Sequence, residues 1–151
     1  RGDNQRSSQT VPFNLTLVVE DPAGSPFKIF MSDYFAAEEL ANPAITGPTA
    51  DPDLDGIDNA MEFVLDLNPS AFDVMPGTIG VDSNNPQMLR YEIPLNGLAT
   101  EATVGFEESE SLQGEWQPTL GKFVERTDTM IVLTAPLAGK KFYRLKVTIE
   151  E

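Results

Sequence analysis

Alternation of apolar and polar residues predicts a mainly β protein. Near the start of the chain, Val11, Phe13, Leu15, Leu17 and Val19 occupy every second position, which is the period of a strand with one buried face. Similar runs recur in the second half, separated by Gly, Pro, Asn and Ser. The predicted strands cover residues 11–19, 78–81, 88–93, 102–107, 122–125, 130–134 and 142–149.

Two short helices are predicted between the first strand and the others. One covers residues 32–41, where Ser32 is a candidate N-cap and Ala, Glu and Leu favour helix. The other covers residues 59–67 and ends before Asn68 and Pro69. The pattern therefore predicts a mainly β fold, an antiparallel sandwich of immunoglobulin or fibronectin-III character with a short helical insertion.

This pattern divides the chain into three parts. Residues 1–26 hold a polar tail and the N-terminal strand, residues 27–76 hold the short helices, and residues 77–151 form the sandwich. The strand from Val11 to Val19 is far in sequence from the others, and two placements stay open. It forms an edge strand of its own sheet, or it completes the sheet of a neighbouring copy of the chain.

The composition excludes several common catalytic and metal-binding chemistries. The 151 residues include no His and no Cys, which excludes disulfides, thiolate or imidazole metal ligands and Ser-His or Cys-His catalytic pairs. Lys and Arg number 10 against 24 Asp and Glu, a formal charge of -14, which disfavours nucleic acid and anionic membranes as partners. No run approaches the roughly 20 apolar residues that span a bilayer, so membrane insertion is not expected.

Residues 51–62 match the calcium-loop pattern D-x-[DN]-x-[DN]-G-x5-E at every specified position. In such a loop, alternating acids converge on one ion, and Gly56 permits the sharp turn. The predicted ligands are all oxygens: the carboxylates of Asp51, Asp53 and Asp55, the backbone carbonyl of Ile57, Asn59 directly or through water, and both oxygens of Glu62.

Calcium is the expected ion at this loop. Ca²⁺ takes 6 to 8 oxygen ligands, whereas transition metals recruit the imidazole or thiolate groups that this chain lacks. Between Ile29 and Leu89 there are eleven acids and no Lys or Arg. No basic residue nearby in sequence is therefore available to neutralise the loop.

The stretch from Ala41-Asn42-Pro43-Ala44-Ile45 through the loop to Leu67-Asn68-Pro69 resembles the DPDGDG-type, thrombospondin type 3-like calcium segment of large secreted bacterial proteins. There a short helix follows the loop, and a β-sandwich ending in a phrase like Phe142-Tyr143-Arg144-Leu145 closes the chain. The resemblance covers roughly residues 30–151, with Leu54 in place of the usual Gly. It implies structural calcium in an extracellular, noncatalytic module.

The first functional expectation is a non-enzymatic structural module at the cell surface, either a domain of a larger protein or a subunit that assembles with its own copies through residues 11–19. The alternative is carbohydrate binding, for which Trp116 is the one aromatic expected to be exposed, since Tyr91 and Tyr143 lie on core-facing alternations. An enzyme would need a carboxylate pair. The acids near Glu107 and Glu115 are better explained as a solvated turn.

Overall fold

A computed structural model describes residues 24–149, apart from the side chain of Lys122. The polar tail and the strand predicted over residues 11–19 lie outside these described residues. The described part contains four short α-helices and seven β-strands. Within residues 24–149, no helix is long and apolar enough to cross a membrane.

The helices are α1 (Pro26–Tyr34), α2 (Ala37–Leu40), α3 (Pro43–Thr46) and α4 (Asn59–Leu65). The single helix predicted over residues 32–41 is wrong, because Ser32 lies inside α1 and is not an N-cap, and the extended backbone of Phe35 and Ala36 separates α1 from α2. Ser25 is the N-cap: its side chain accepts a hydrogen bond from the N–H of Lys28, and proline follows it at the first helical position. The helix predicted over residues 59–67 is confirmed but ends two residues earlier.

The strands are β1 (Thr78–Val81), β2 (Met88–Pro94), β3 (Ala102–Ser109), β4 (Gln117–Pro118), β5 (Val124–Arg126), β6 (Met130–Pro136) and β7 (Phe142–Ile149). The predicted bounds of β1 and β7 are confirmed, and β2, β3 and β6 extend past their predicted ends. The strand predicted over residues 122–125 is displaced, because Gly121–Phe123 forms a 3-10 helix and pairing begins with β5. Strand β4 was not predicted, since two residues carry no periodicity.

All pairings between these strands are antiparallel, and they form two sheets with the orders β1-β2-β6-β5 and β4-β3-β7. Strands β3 and β7 pair along eight residues, from Ala102 opposite Ile149 to Ser109 opposite Phe142. The mainly β, antiparallel class is thus confirmed. Two such sheets with few short helices are consistent with a β-sandwich.

One hydrophobic core is shared by both sheets and by two helices. Phe63 of α4 packs against the rings of Phe27 and Phe30 of α1, with centroid distances of 5.6 and 5.3 Å. The sheets contribute buried side chains from both inner faces, among them Ile93, Ile131, Leu133, Val104, Phe106 and Leu145. The helical segment and the sheets are therefore packed as one body around this core.

The loop after β2 attaches α4 to the sandwich. Asn96 donates its backbone N–H to the carbonyl of Val64 at 2.7 Å and its Nδ2 to the carbonyl of Phe63 at 3.1 Å. These carbonyls belong to the last turn of α4, where a helix leaves its acceptors without internal partners. The sandwich thereby holds the helix that follows residues 51–58.

Candidate metal site

Residues 51–57 form a tight loop closed by side-chain to backbone hydrogen bonds. Asp51 Oδ2 accepts from the N–H of Gly56 at 3.0 Å, and Asp53 Oδ1 accepts from the N–H of Asp55 at 3.2 Å. Asp55 Oδ1 accepts from the N–H of Ile57 at 2.7 Å. Each carboxylate so placed still has lone pairs for another ligand, because an ionised carboxylate accepts about four hydrogen bonds.

The loop brings three carboxylates together. One oxygen from each of Asp51, Asp53 and Asp55 lies within 4.8 Å of the others. Such a group could hold a metal ion, which is the part of the sequence prediction that the structure supports directly.

Two positive backbone angles make the winding possible. Gly56 has φ of 91°, a conformation that glycine adopts without steric cost. Leu54 has φ of 65°, and its side chain is 82% exposed. A leucine in this left-handed region is strained by roughly 1 to 2 kcal/mol, which is the physical reason that glycine suits this position of the loop.

Glu62 is buried in the first half of α4 and has no partner. Its side chain is 0% exposed, and neither carboxylate oxygen has a hydrogen-bond partner. Burial and, to a smaller extent, the charges of Asp53, Asp55 and Asp51 together raise the pKa of Glu62 to about 8. A buried carboxylate without a cation or a hydrogen bond is strongly unfavourable, so this position is built for a positive partner.

Unpartnered buried oxygens are concentrated at this site. Among the described residues, six buried side-chain polar atoms lack a hydrogen-bond partner, and five of them belong to residues 51–62. Those five are Asp51 Oδ1, Asp53 Oδ2, Asn59 Oδ1 and both oxygens of Glu62. Native proteins satisfy nearly all buried polar atoms, so such a cluster marks a place where a ligand supplies the missing interactions.

The other two predicted ligands have clear local roles. Ile57 is buried, with 5% of its surface exposed, and anchors the end of the loop in the protein interior. Asn59 is fully buried and donates from Nδ2 to the carbonyls of Ile45 and Gly47 at 2.8 and 2.9 Å. Its amide nitrogen therefore fixes the turn that precedes the loop, while its Oδ1 stays free.

Asp73 belongs to the surroundings of the site and was missed by sequence reasoning. Its N–H donates to Asp55 Oδ2 at 2.8 Å, and its own Oδ2 accepts from the N–H of Asn68. Its charge also contributes to the raised pKa of Glu62. The calcium-loop pattern ends at residue 62, so no local signal connects Asp73 with the loop.

Among residues 24–149, no basic side chain forms an ion pair with the cluster. The ion pairs within the described part join Arg90 to Glu92, Lys141 to Glu108 and Arg144 to Glu107, all away from the loop. Burial raises the carboxyl pKa of Asp58, the N-cap of α4, whereas the hydrogen bond from the N–H of Met61 and the charge of Lys146 lower it. The three clustered aspartates and Glu62 have no such ion pair with any residue that the structure describes.

Trp116 is half-buried, so the expectation that this aromatic side chain is exposed is wrong. The guanidinium of Arg144 stacks over its ring at 4.3 Å from the centroid and also binds Glu107. A sugar that used this face of the indole would have to displace the arginine. Tyr91 and Tyr143 pack against the core, as their alternation predicts.

Comparison of the chain with protein-family models, with curated proteins and with solved structures finds no match in any of the three. We therefore infer a function from the chemistry of residues 51–62.

Proposed function

We propose that this chain is a non-enzymatic, extracellular structural module in which residues 51–62 bind one Ca²⁺ that stabilises the fold. The observation that carries the proposal is the group of five unpartnered buried oxygens in these residues. Without a cation, burial leaves Glu62 with a pKa of about 8. A divalent ion would compensate the buried carboxylate and the three aspartates beside it.

The donor set fits calcium better than other ions. Asp51, Asp53 and Asp55 offer one oxygen each, Ile57 a carbonyl and Glu62 two oxygens, which reaches the lower limit of the 6 to 8 ligands of Ca²⁺. Asn59 Oδ1 or water would complete the shell. Mg²⁺ requires octahedral geometry with shorter metal–oxygen distances than Ca²⁺, and it usually keeps several of its water ligands. Soft metals favour nitrogen and sulfur ligands.

The burial of α4 favours a structural role over a calcium switch. Calcium sensors open a pair of helices around the loop. Here α4 is seven residues long, and its Phe63, Val64 and Leu65 are buried in the shared core. Opening this helix would expose that core, so calcium binding is expected to rigidify the fold without exposing a new surface.

The strand order supports an immunoglobulin-like assignment within this proposal. The order β1-β2-β6-β5 corresponds to strands A, B, E and D of the constant-type immunoglobulin sheet, if β4 is an added strand next to strand C. The order β4-β3-β7 then contains strands C and F of the second sheet. In this correspondence the final strand, G, has no counterpart among the described strands.

The extracellular assignment follows from the kind of site. Extracellular modules bind Ca²⁺ with dissociation constants of about 0.1 to 1 mM, a range in which the ion acts as a permanent structural part. The absence of cysteine from the chain suits an oxidising environment. The thrombospondin type 3-like resemblance belongs to the same proposal, and the strained φ of Leu54 falls where that family has glycine.

Thermal unfolding with and without calcium tests the proposal. At one hundred times the dissociation constant, Ca²⁺ adds about 2.7 kcal/mol to the free energy of unfolding, or roughly 5 to 10 °C in melting temperature for a chain of this size. Mg²⁺ at the same concentration and ionic strength should have a smaller effect. Asp53→Ala should remove the calcium effect, while Asp128→Ala on an exposed turn should retain it. A melting curve that EDTA leaves unchanged would refute the proposal.

A further inference from the structure

The loop between β2 and β3 contains the one Asn-Gly pair of the sequence, Asn96-Gly97. In such a pair the following backbone nitrogen can attack the side-chain amide carbon with little obstruction, because glycine has no Cβ. Three other asparagines, Asn42, Asn68 and Asn85, precede proline, whose nitrogen carries no proton to lose. Asn96 is therefore the asparagine of this chain with the strongest sequence signal for deamidation.

The loop presents the three groups that this reaction uses. Gly97 is exposed, and its N–H makes no hydrogen bond to any residue between 24 and 149, so this nitrogen is available as the nucleophile. Leu98 donates its N–H to Asn96 Oδ1 at 3.0 Å. This donor polarises the amide carbonyl and stabilises the negative charge that develops on the oxygen during attack, as backbone donors do in an oxyanion hole. The leaving group is Nδ2 of Asn96.

We propose that Asn96 is a site of spontaneous deamidation, at which the attachment of α4 to the sandwich is chemically released. The Gly97 nitrogen loses its proton to solvent base and forms a bond to Cγ of Asn96. The bond from Cγ to Nδ2 breaks, and the departing amide group takes up a proton and leaves as ammonia. Water then opens the cyclic imide at one of its two carbonyls and gives aspartate or isoaspartate. This inference goes beyond the calcium site and does not depend on it.

The reaction removes a hydrogen-bond donor from the end of α4. In the intact chain, Asn96 donates from Nδ2 to the carbonyl of Phe63 at 3.1 Å and from its backbone N–H to the carbonyl of Val64 at 2.7 Å. In the aspartate product, a carboxylate oxygen replaces Nδ2 and repels the Phe63 carbonyl. In the isoaspartate product, an added methylene also lengthens the main chain of the loop. Phe63 and Val64 are buried in the core, so an acceptor that loses its donor here costs stability.

Gly97→Ala is a matched control that changes the chemistry and leaves the structure intact. A Cβ at this position would meet Thr129 Cγ2 at 3.7 Å and the carbonyl oxygen of Asp128 at 3.8 Å, which is ordinary van der Waals contact. The φ of Gly97 does not lie in the left-handed region, so alanine fits the backbone. The added methyl group obstructs the attack, while the hydrogen bonds of Asn96 are retained.

Peptide mapping by mass spectrometry, after incubation of the folded full chain, tests the assignment. We expect Asn96 to convert at least tenfold faster than Asn84, which lies in an exposed turn after β1. Conversion should be faster in mildly alkaline than in mildly acidic buffer, because the Gly97 nitrogen must lose its proton. Gly97→Ala should slow the conversion of Asn96 at least tenfold. Equal conversion of the two asparagines, an unchanged rate in Gly97→Ala, or conversion confined to the urea-unfolded chain would overturn the proposal.

The stability of the product tests the release of α4. Incubated wild type in which Asn96 has converted, and Asn96→Asp, should both melt at least about 3 °C below the fresh chain. Asn84→Asp adds the same charge on an exposed turn and should shift the melting temperature by less than about 2 °C. Incubated Gly97→Ala should melt as its fresh form does. A converted wild type that melts like the fresh chain would refute the release, whether or not Asn96→Asp folds.

Discussion

Substitution of Glu62 by Gln has opposite expected effects with and without calcium. The carboxylate is fully buried, and its two oxygens have no partner in the described structure. Gln keeps the shape of the side chain and removes the charge. In EDTA at neutral pH, Glu62→Gln should therefore stabilise the protein. In Ca²⁺ it should lose most of the stabilisation that the ion gives the wild type, because the carboxylate is the ligand expected to bind with two oxygens.

The raised pKa sets the size of the effect in EDTA. The pKa of Glu62 is 4.5 in its ordinary state and about 8 in the folded protein. Below pH 4.5 the Glu62 carboxyl is protonated in both the folded and the unfolded state, so it costs no stability. As the pH rises from 4.5 towards 8, the unfolded state ionises more readily than the folded state, and the protein loses stability. At pH 7 the wild type is less stable than a neutral variant by about 3 kcal/mol, and at pH 5 by less than about 1 kcal/mol.

Urea denaturation at pH 5 and pH 7, each in EDTA and in saturating Ca²⁺, measures these differences. The control is Glu110→Gln, an exposed residue, which should change the free energy of unfolding by less than about 0.5 kcal/mol in every condition. The reasoning would be refuted if Glu62→Gln destabilised the protein in EDTA at pH 7. A gain in EDTA of the same size at both pH values would also refute it.

Three further substitutions separate the parts of the site. Asp53→Asn should weaken calcium binding at least tenfold, measured with a competing chelator dye, while Asp128→Asn should leave it unchanged. Leu54→Gly should raise the melting temperature by about 1 to 3 °C, because glycine relieves the positive φ; a loss of stability would contradict the assigned strain. Asn59→Ala should cost about 2 to 4 kcal/mol in urea denaturation, with calcium and without it, since two buried carbonyls lose their donor. A cost seen in calcium alone would assign Asn59 a purely ligand role.

Local chemistry explains why the site could be predicted from sequence. Asp51, Asp53 and Asp55 are close because residues two apart in a tightly wound loop turn their side chains to the same point. Glu62 follows in a short helix that begins three residues earlier, and the charges of the three aspartates act on its carboxyl group. Asp73 could not be predicted in the same way, because it follows α4 in the sequence and contacts Asp55 only in the folded chain.

The fold shows the same division between local and distant effects. Strand β7 was predicted at both ends because its alternation is long and uninterrupted. The sequence predicts Ser32 rather than Ser25 as the N-cap because Ser25 and Pro26 are equally typical of a turn after the first strand. The shared core of Phe63 with Phe27 and Phe30 had no signal in the sequence, since the 24 residues 35–58, made of loops and short helices, separate α1 from α4.

Calorimetric titration of the chelator-stripped full chain with Ca²⁺ tests the central claim most directly. We expect saturable binding of one ion per chain, a dissociation constant at or below about 1 mM, and weaker binding of Mg²⁺. We also expect Glu62→Gln to lose this binding and Glu110→Gln to retain it. No saturable binding up to about 10 mM Ca²⁺, or full binding by Glu62→Gln, would contradict a calcium site built on residues 51–62.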